Sequence, residues 1–226
     1  MHSNARTPEG FSMTCCCTPT TGIGKFFGHF ARRYRRRYAR RGLEPTQRQL
    51  VEGLYQAGFH AASLLEIGCG VGYLHQHLLR EGAARAVGVD ISEDMLAQAR
   101  ALARETGLAE RTDYRVGDFV TLADSVGDAD VILLDKVVCC YPDAEALVMR
   151  SVSKTRRVYA LTYPRHRWVN RLGARLLNFF LWLLRSGYRT YIHDPRRIEA
   201  WIGVAGFERR YENRTLLWLT QVYVKP

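Results

Sequence analysis

The chain has no apolar run long enough to cross a bilayer. Its most apolar stretch, Leu176–Leu184, sits between Arg175 and Arg185 and is about half of the ~20 residues a span needs. It also lacks a secretory pattern: the polar start MHSNARTPEG is followed by no apolar core, which sets the expectation of a cytoplasmic protein. Met1 and Met13 can each serve as the start. The six cysteines lack the spacing of a disulfide framework or of a structural zinc site, since Cys15, Cys16 and Cys17 are consecutive, Cys139 and Cys140 are adjacent, and Cys69 stands apart. Reduced thiols and no resident metal are the expectation. Acids are in deficit, 22 against 33 Lys and Arg, for a net charge of +11. That balance points to an anionic partner such as a lipid surface, a nucleic acid or an acidic ligand.

What is present is ordinary globular material. Hydrophobic residues make up 47% and charged residues 24% of 226 positions, which excludes a wholly disordered or collagen-like chain and suits one domain with additions. Residues 1–22 carry Ser, Thr, Pro and Gly without periodicity and read as a flexible tail. Residues 23–60 read as a helical, arginine-rich cap. ARRYRRRYARR, Ala31–Arg41, carries seven arginines, with Tyr34 and Tyr38 either packed inward or turned to an anionic ligand. Gly42 is placed to stop that helix and Thr46 to cap the next.

From 61 to 226 strands and helices alternate. The predicted strands are SLLEIG, AVGVDI, TDYRVGD, DVILLDKV and RVYALTYP, with Ser92 capping one helix, Pro142 opening another and Asp194-Pro195 a third. This order implies an α/β, doubly wound, mostly parallel sheet with helices on both faces. The final runs FERRYENRT and LLWLTQVYVK have no helix between them, so they should pair as an antiparallel hairpin at the sheet edge. An apolar lid helix is expected at about 166–190. Its leucines and aromatics between arginines fit a substrate lid, an interfacial anchor or a helix packed on the cap.

The chemistry centres on Glu66-Ile67-Gly68-Cys69-Gly70-Val71-Gly72, which follows a strand and opens a helix. Alternate glycines allow a tight turn and a close ligand approach. Asp90 ends the next strand, 18 residues after Gly72, where its carboxylate can accept from two ribose hydroxyls. Asp118 follows the third strand, where an acid can read an adenine edge. Tyr73 stands where a dinucleotide fingerprint needs its third glycine, which favours S-adenosylmethionine over a dinucleotide.

LLEIGCGVGYL, GVDISEDML and VGDF resemble the first three motifs of the class I S-adenosylmethionine-dependent methyltransferases, over about residues 45–165. The resemblance implies a Rossmann-like, seven-stranded sheet with one antiparallel C-terminal strand. It implies S-adenosyl-L-methionine as co-substrate, surrounded by Glu66, Gly68, Cys69, Gly70 and Gly72, with Asp90 on the ribose. Ile91, Asp118 and Phe119 would border the adenine, and Asp135 would complete the site. The layout is similar to the magnesium-protoporphyrin and quinone-type small-molecule methyltransferases, and closest to a group of the family sharing the VVCCYPD segment. The magnesium-protoporphyrin enzymes carry a histidine before the matching Tyr-Pro, where this chain has Cys140. Cysteine serves as a base only with a lowered pKa.

The implied activity is O-, C- or S-methylation of a small, apolar or anionic acceptor. Tyr141, Cys140, Tyr163 and His166 are the candidate residues beside it, and Lys136 is expected to support the loop. No Asn-Pro-Pro-Tyr follows the fourth strand, which argues against amino-methylation of nucleic acid. Two alternatives stand beside this reading. One is a thiol-metalloid methyltransferase in which Cys15–Cys17 meet Cys139 and Cys140. The other is a protein that binds S-adenosylmethionine without transfer. Peripheral contact with an anionic membrane is a further expectation, and the oligomeric state is left open.

Overall fold

β1 (Ser63–Ile67), SLLEI, is a short and mostly apolar run that lies in the interior of a seven-stranded sheet, third from one edge. The computed structural model describes Gly24 and residues 26–226. Beside β1 lie β2 (Arg85–Asp90) and β3 (Thr112–Val116) on one side and β4 (Ala129–Asp135) and β5 (Thr155–Pro164) on the other, all parallel. β6 (Glu208–Arg214) and β7 (Trp218–Val224) form the expected antiparallel hairpin, with the last strand inserted between β5 and β6. The order is β3-β2-β1-β4-β5-β7-β6. Only β7 runs against the rest, and β6 is the exposed edge, as its charged sequence ERRYENR suits.

Alternate side chains of the central strands enter two separate cores, as strand geometry requires. Leu64, Val131, Leu133, Val158 and Ala160 face α2 (Pro45–Ala57) and α3 (Tyr73–Arg80). α4 (Glu93–Glu105) continues that layer, with Gln76 of α3 donating to the Ala99 carbonyl at 3.0 Å. Leu65, Ile132, Leu134, Tyr159 and Leu161 face the other way, toward α5 (Phe119–Leu122), α6 (Ala144–Ser153) and α8 (Pro195–Val204). Each fully buried Leu or Ile adds roughly 1.5–3 kcal/mol of apolar transfer free energy.

Within 23–60, α1 (Ala31–Arg41) lies against α4, with Arg35 ion-paired to Glu105 and Tyr38 stacked on Tyr73 at 4.0 Å. α2, by contrast, covers the sheet itself, with Leu50 and Leu54 fully buried. Its cap differs from the expected Thr46. Glu44 is the N-cap, Pro45 takes the first helical position, and Glu44 and Gln47 form a reciprocal capping box. Thr46 lies inside the helix, its hydroxyl buried without a hydrogen-bond partner. Pro142 likewise precedes the cap of α6, which is Asp143, accepting from the Ala146 N–H at 3.0 Å.

α7 (Trp168–Leu183) falls inside the expected lid region. Among the described residues, no helix is long and apolar enough to cross a membrane.

Candidate functional site

The carboxyl ends of β1, β2, β3 and β4 open into one cavity of about 230 Å³. This is where a doubly wound sheet binds its ligand, beside the point at which the strand order reverses. β1 runs straight into Gly68, whose φ of 65° and whose contact with Val137 leave no room for a side chain; an added Cβ would sit 2.4 Å from Val137 Cγ2. At Gly70 (φ 54°) the case differs. A Cβ there would meet no protein atom within 4 Å and would project into the space that Gly70 lines.

Five acids line this cavity, four of them at or just past the strand ends and the fifth, Glu44, ahead of α2. Glu66, at 3% exposure, takes hydrogen bonds on Oε2 from the His75 backbone N–H (3.2 Å) and from Nδ1 of His75 (2.6 Å). His75 Nε2 lies 3.0 Å from the Tyr114 hydroxyl, so the carboxylate is held by a buried chain. Asp90 accepts from the Gly70 N–H at 2.8 Å and the Ser92 N–H at 2.9 Å. Burial raises its pKa to about 6 against those two hydrogen bonds. Asp118 caps α5 through the Val120 N–H and receives the Tyr141 hydroxyl on both oxygens at 2.9 Å. Asp135 accepts from Gln47 Nε2 at 3.0 Å on Oδ2, while Oδ1 is buried with no partner. Burial raises this carboxyl to about 6 as well.

Of the residues singled out in the sequence, Glu66, Gly68, Cys69, Gly70, Asp90, Ile91, Asp118, Phe119, Asp135, Cys140 and Tyr141 all line the cavity. Gly72 does not; it is the left-handed N-cap of α3. Cys69 is buried against Gly88, and burial pushes its thiol well up. Tyr163 lies in the core, its hydroxyl donating to Gln221 at 2.6 Å, because its place in β5 turns it to the α6–α8 side. His166 is exposed beyond the end of β5, away from the cavity. Sequence reasoning missed Phe27, Gln47, Tyr73 and Met95, which also line the cavity, and did not assign Tyr34 to it. The only local signal for Gln47 was its place three residues after Glu44.

Lys136, in left-handed backbone at φ 60°, is tied to Glu44 and lies over the Trp218 ring at 5.5 Å. It therefore joins the strand end to α2. Cys139 and Cys140 occupy the turn that follows, their sulfurs 3.9 Å apart. Cys140 Sγ also lies 3.5 Å from the Tyr188 hydroxyl. The hydrogen bond from Cys139 lowers the Cys140 pKa, burial opposes it, and the Tyr188 hydroxyl lowers it further. Tyr141 moves the other way, since burial and then its bond to Asp118 raise its pKa. Tyr141 is thus a fixed neutral phenol, and Cys140 is a cavity-lining thiol with Cys139 Sγ, the Tyr188 hydroxyl and, at 3.6 Å, the Lys136 carbonyl around its sulfur. Cys15, Cys16 and Cys17 lie outside the described residues. Among the described residues, no group of three His, Cys, Asp or Glu is arranged to hold a metal ion.

Residues 64–158 match the family described as a methyltransferase domain. The ubiquinone biosynthesis O-methyltransferase of Azorhizobium caulinodans is 32% identical over 160 residues, covering 64% of this chain and 58% of that protein. The chain thus spans less than two thirds of that relative. The enzyme of the same description from Pseudomonas aeruginosa is 29% identical, covering 68% of this chain and 67% of the relative. In fold, the chain is similar to the magnesium protoporphyrin IX methyltransferase of Synechocystis solved with S-adenosylhomocysteine. That match has a TM-score of 0.70 at 21% identity and covers 91% of this chain and 99% of that one.

Proposed function

We propose that this chain is a class I S-adenosylmethionine-dependent methyltransferase that methylates an oxygen of a small, largely apolar acceptor. One observation carries the reading. A single cavity joins the four strand-end acids to a wall made by Cys140, Tyr141, Phe27 and Tyr34. The choice of oxygen is supported by the likeness to the ubiquinone biosynthesis O-methyltransferases and by the absence of an Asn-Pro-Pro-Tyr segment after β4.

The residues present fit S-adenosylmethionine. A carboxylate has about four lone-pair sites. Asp90 uses two on backbone N–H groups and keeps the others for ribose hydroxyls. The orphaned Oδ1 of Asp135 and the Glu66 carboxylate supply negative charge for a cationic amino acid end. Gly70 leaves open the space a Cβ would take. Asp118 and Phe119 border the base, with Tyr141 locking the Asp118 carboxylate in place.

When bound, S-adenosylmethionine supplies an electrophilic methyl carbon, which an acceptor oxygen takes with its lone pair as the sulfonium keeps the electrons of the breaking bond. Tyr34, Phe27 and Tyr141 confine the acceptor, and orienting it contributes much of the rate. Cys140, as its thiolate, takes the hydroxyl proton, and the contacts with Cys139 and Tyr188 favour that form.

The test is incubation with isotopically methyl-labelled S-adenosylmethionine and a panel of catechols, quinols and tetrapyrrole carboxylates, read by mass spectrometry. A labelled methyl ether or ester from the wild type, lost in Cys140→Ala, is expected. Transfer to carbon or nitrogen alone would refute oxygen as the target, and binding without any transfer would favour the non-catalytic alternative.

A further inference from the structure

α7 is built inside out. Asn170, Ala174, Asn178 and Leu181, spaced four, four and three apart, form one stripe, and that stripe faces the protein. Asn170 Nδ2 donates to the carbonyls of Arg165 (2.8 Å) and Leu217 (2.9 Å). Asn178 exchanges two hydrogen bonds with the backbone of Thr190, at 2.8 and 2.9 Å. Leu181 packs beside Tyr188, Phe26 and Phe27. The helix is thus stapled to the body by its amides, and its apolar face points away.

That outer face carries Trp168, Leu172, Leu176, Phe179, Phe180 and Trp182, each 47–67% exposed. At 150–250 Å² per aromatic side chain, the four rings alone leave roughly 500 Å² of apolar surface open. Soluble monomers rarely show contiguous apolar patches larger than a few hundred Å². Leu217, whose carbonyl holds Asn170, and its neighbour Leu216 are exposed at the β6–β7 turn and extend the patch.

The charge around this face has one sign. Residues 165–193 contain six arginines and no acid. Arg171, Arg175 and Arg185 are exposed on α7 and just after it. The chain enters α1 from Phe26 and Phe27, which pack on Tyr188. Of the seven arginines in α1, Arg35 and Arg37 are ion-paired and the other five are exposed. At 16 residues α7 is about 24 Å long, too short to span a bilayer but suited to lie along one.

We propose that α7 docks the protein on an anionic lipid surface, sinking Trp168, Phe179, Phe180 and Trp182 among the acyl chains while its arginines meet the headgroups. None of these residues lines the cavity, so docking and the methyl-transfer reading are separable.

The experiment is co-sedimentation of the full chain with vesicles of phosphatidylcholine alone or mixed with phosphatidylglycerol. Alongside it, S-adenosylmethionine binding is measured as a check on the fold. Wild type should bind the mixed vesicles, more weakly at high salt, with a blue shift in tryptophan emission. Phe180→Ser with Trp182→Ser should weaken binding roughly tenfold or more while sparing S-adenosylmethionine. Arg171→Gln and Arg175→Gln should each weaken it roughly fivefold on anionic vesicles only. No binding to either vesicle by a folded wild type overturns the proposal. So does a dimer in solution that the Phe180/Trp182 substitutions split into monomers without any change in vesicle binding.

Discussion

Gln47 donates through Nε2 to Oδ2 of Asp135 at 3.0 Å, joining residues 88 positions apart. The other end of the same amide accepts from the Glu44 N–H at 3.0 Å, so one side chain closes the helix cap and holds a cavity carboxylate. Gln47→Ala leaves Asp135 with neither oxygen hydrogen-bonded by a side chain. The expected loss is about 1–3 kcal/mol of stability, read by urea unfolding, together with weaker S-adenosylmethionine binding. An unchanged midpoint and affinity would show the bond to be incidental.

The pH dependence follows from burial. Asp90 and Asp135 both sit near pKa 6 in the free protein, above the ordinary carboxylate range. A ligand bearing hydroxyl donors and positive charge prefers them ionised. Affinity should therefore be full above pH 7 and fall as pH drops through about 6. The sign for folding is opposite. A carboxyl with a raised folded pKa binds its proton more tightly when folded, so its ionisation costs stability as pH rises from about 4 to 6. Calorimetric titration across that range checks the first statement. Asp90→Asn should bind more weakly throughout and lose part of the pH dependence.

How much of this was legible beforehand varied with how local each signal is. β1, its glycine turn and Asp90 are marked by short apolar runs that end in Gly or Asp, Asp118 by the Gly-Asp-Phe that follows β3, and each motif folds against its own neighbours. Gln47 carried no such mark, because its meaning comes from Asp135, which only the sheet topology brings near. Thr46 was a sound cap candidate by residue type, yet Pro45 starts the helix one residue earlier and leaves that role to Glu44. Tyr163 was grouped with the site because it ends a strand, but the alternation within β5 sends its ring into the core. For α7, apolarity and flanking arginines were visible in the sequence. Which face meets the protein was decided by two asparagine amides whose partners, Leu217 and Thr190, are distant or across a turn.

Cys140 and Tyr188 make a separable pair of predictions. Cys140→Ala should lower kcat roughly a hundredfold or more, within the usual range for a lost proton acceptor, and Cys140→His should recover part of it near neutral pH. Tyr188→Phe removes a donor to the sulfur, which raises the Cys140 pKa. The acidic limb of the kcat profile should then move to higher pH, with activity regained in alkaline buffer. A uniform loss at every pH would mean that Tyr188 acts through packing alone.

Gly68 and Gly70 should part company. Both have left-handed backbone, so alanine at either costs about 1–2 kcal/mol. At Gly68 the new methyl also collides with the stiff Val137 side chain, so Gly68→Ala should lose clearly more stability than Gly70→Ala. Gly70→Ala should instead lose S-adenosylmethionine affinity, because its methyl enters the cavity. Thermal unfolding and calorimetry on the two variants decide this, and equal effects on both quantities would contradict the assignment.

The central claim is that the cavity at the ends of β1 to β4 holds S-adenosylmethionine with Asp90 as its ribose acceptor. It is tested most directly by isothermal calorimetry of S-adenosylmethionine and S-adenosylhomocysteine with wild type and Asp90→Ala. Saturable binding of both ligands to the wild type, strongly weakened in a folded Asp90→Ala, is the expected result. A folded wild type that binds neither ligand, or an Asp90→Ala variant that binds as well as wild type, would contradict it.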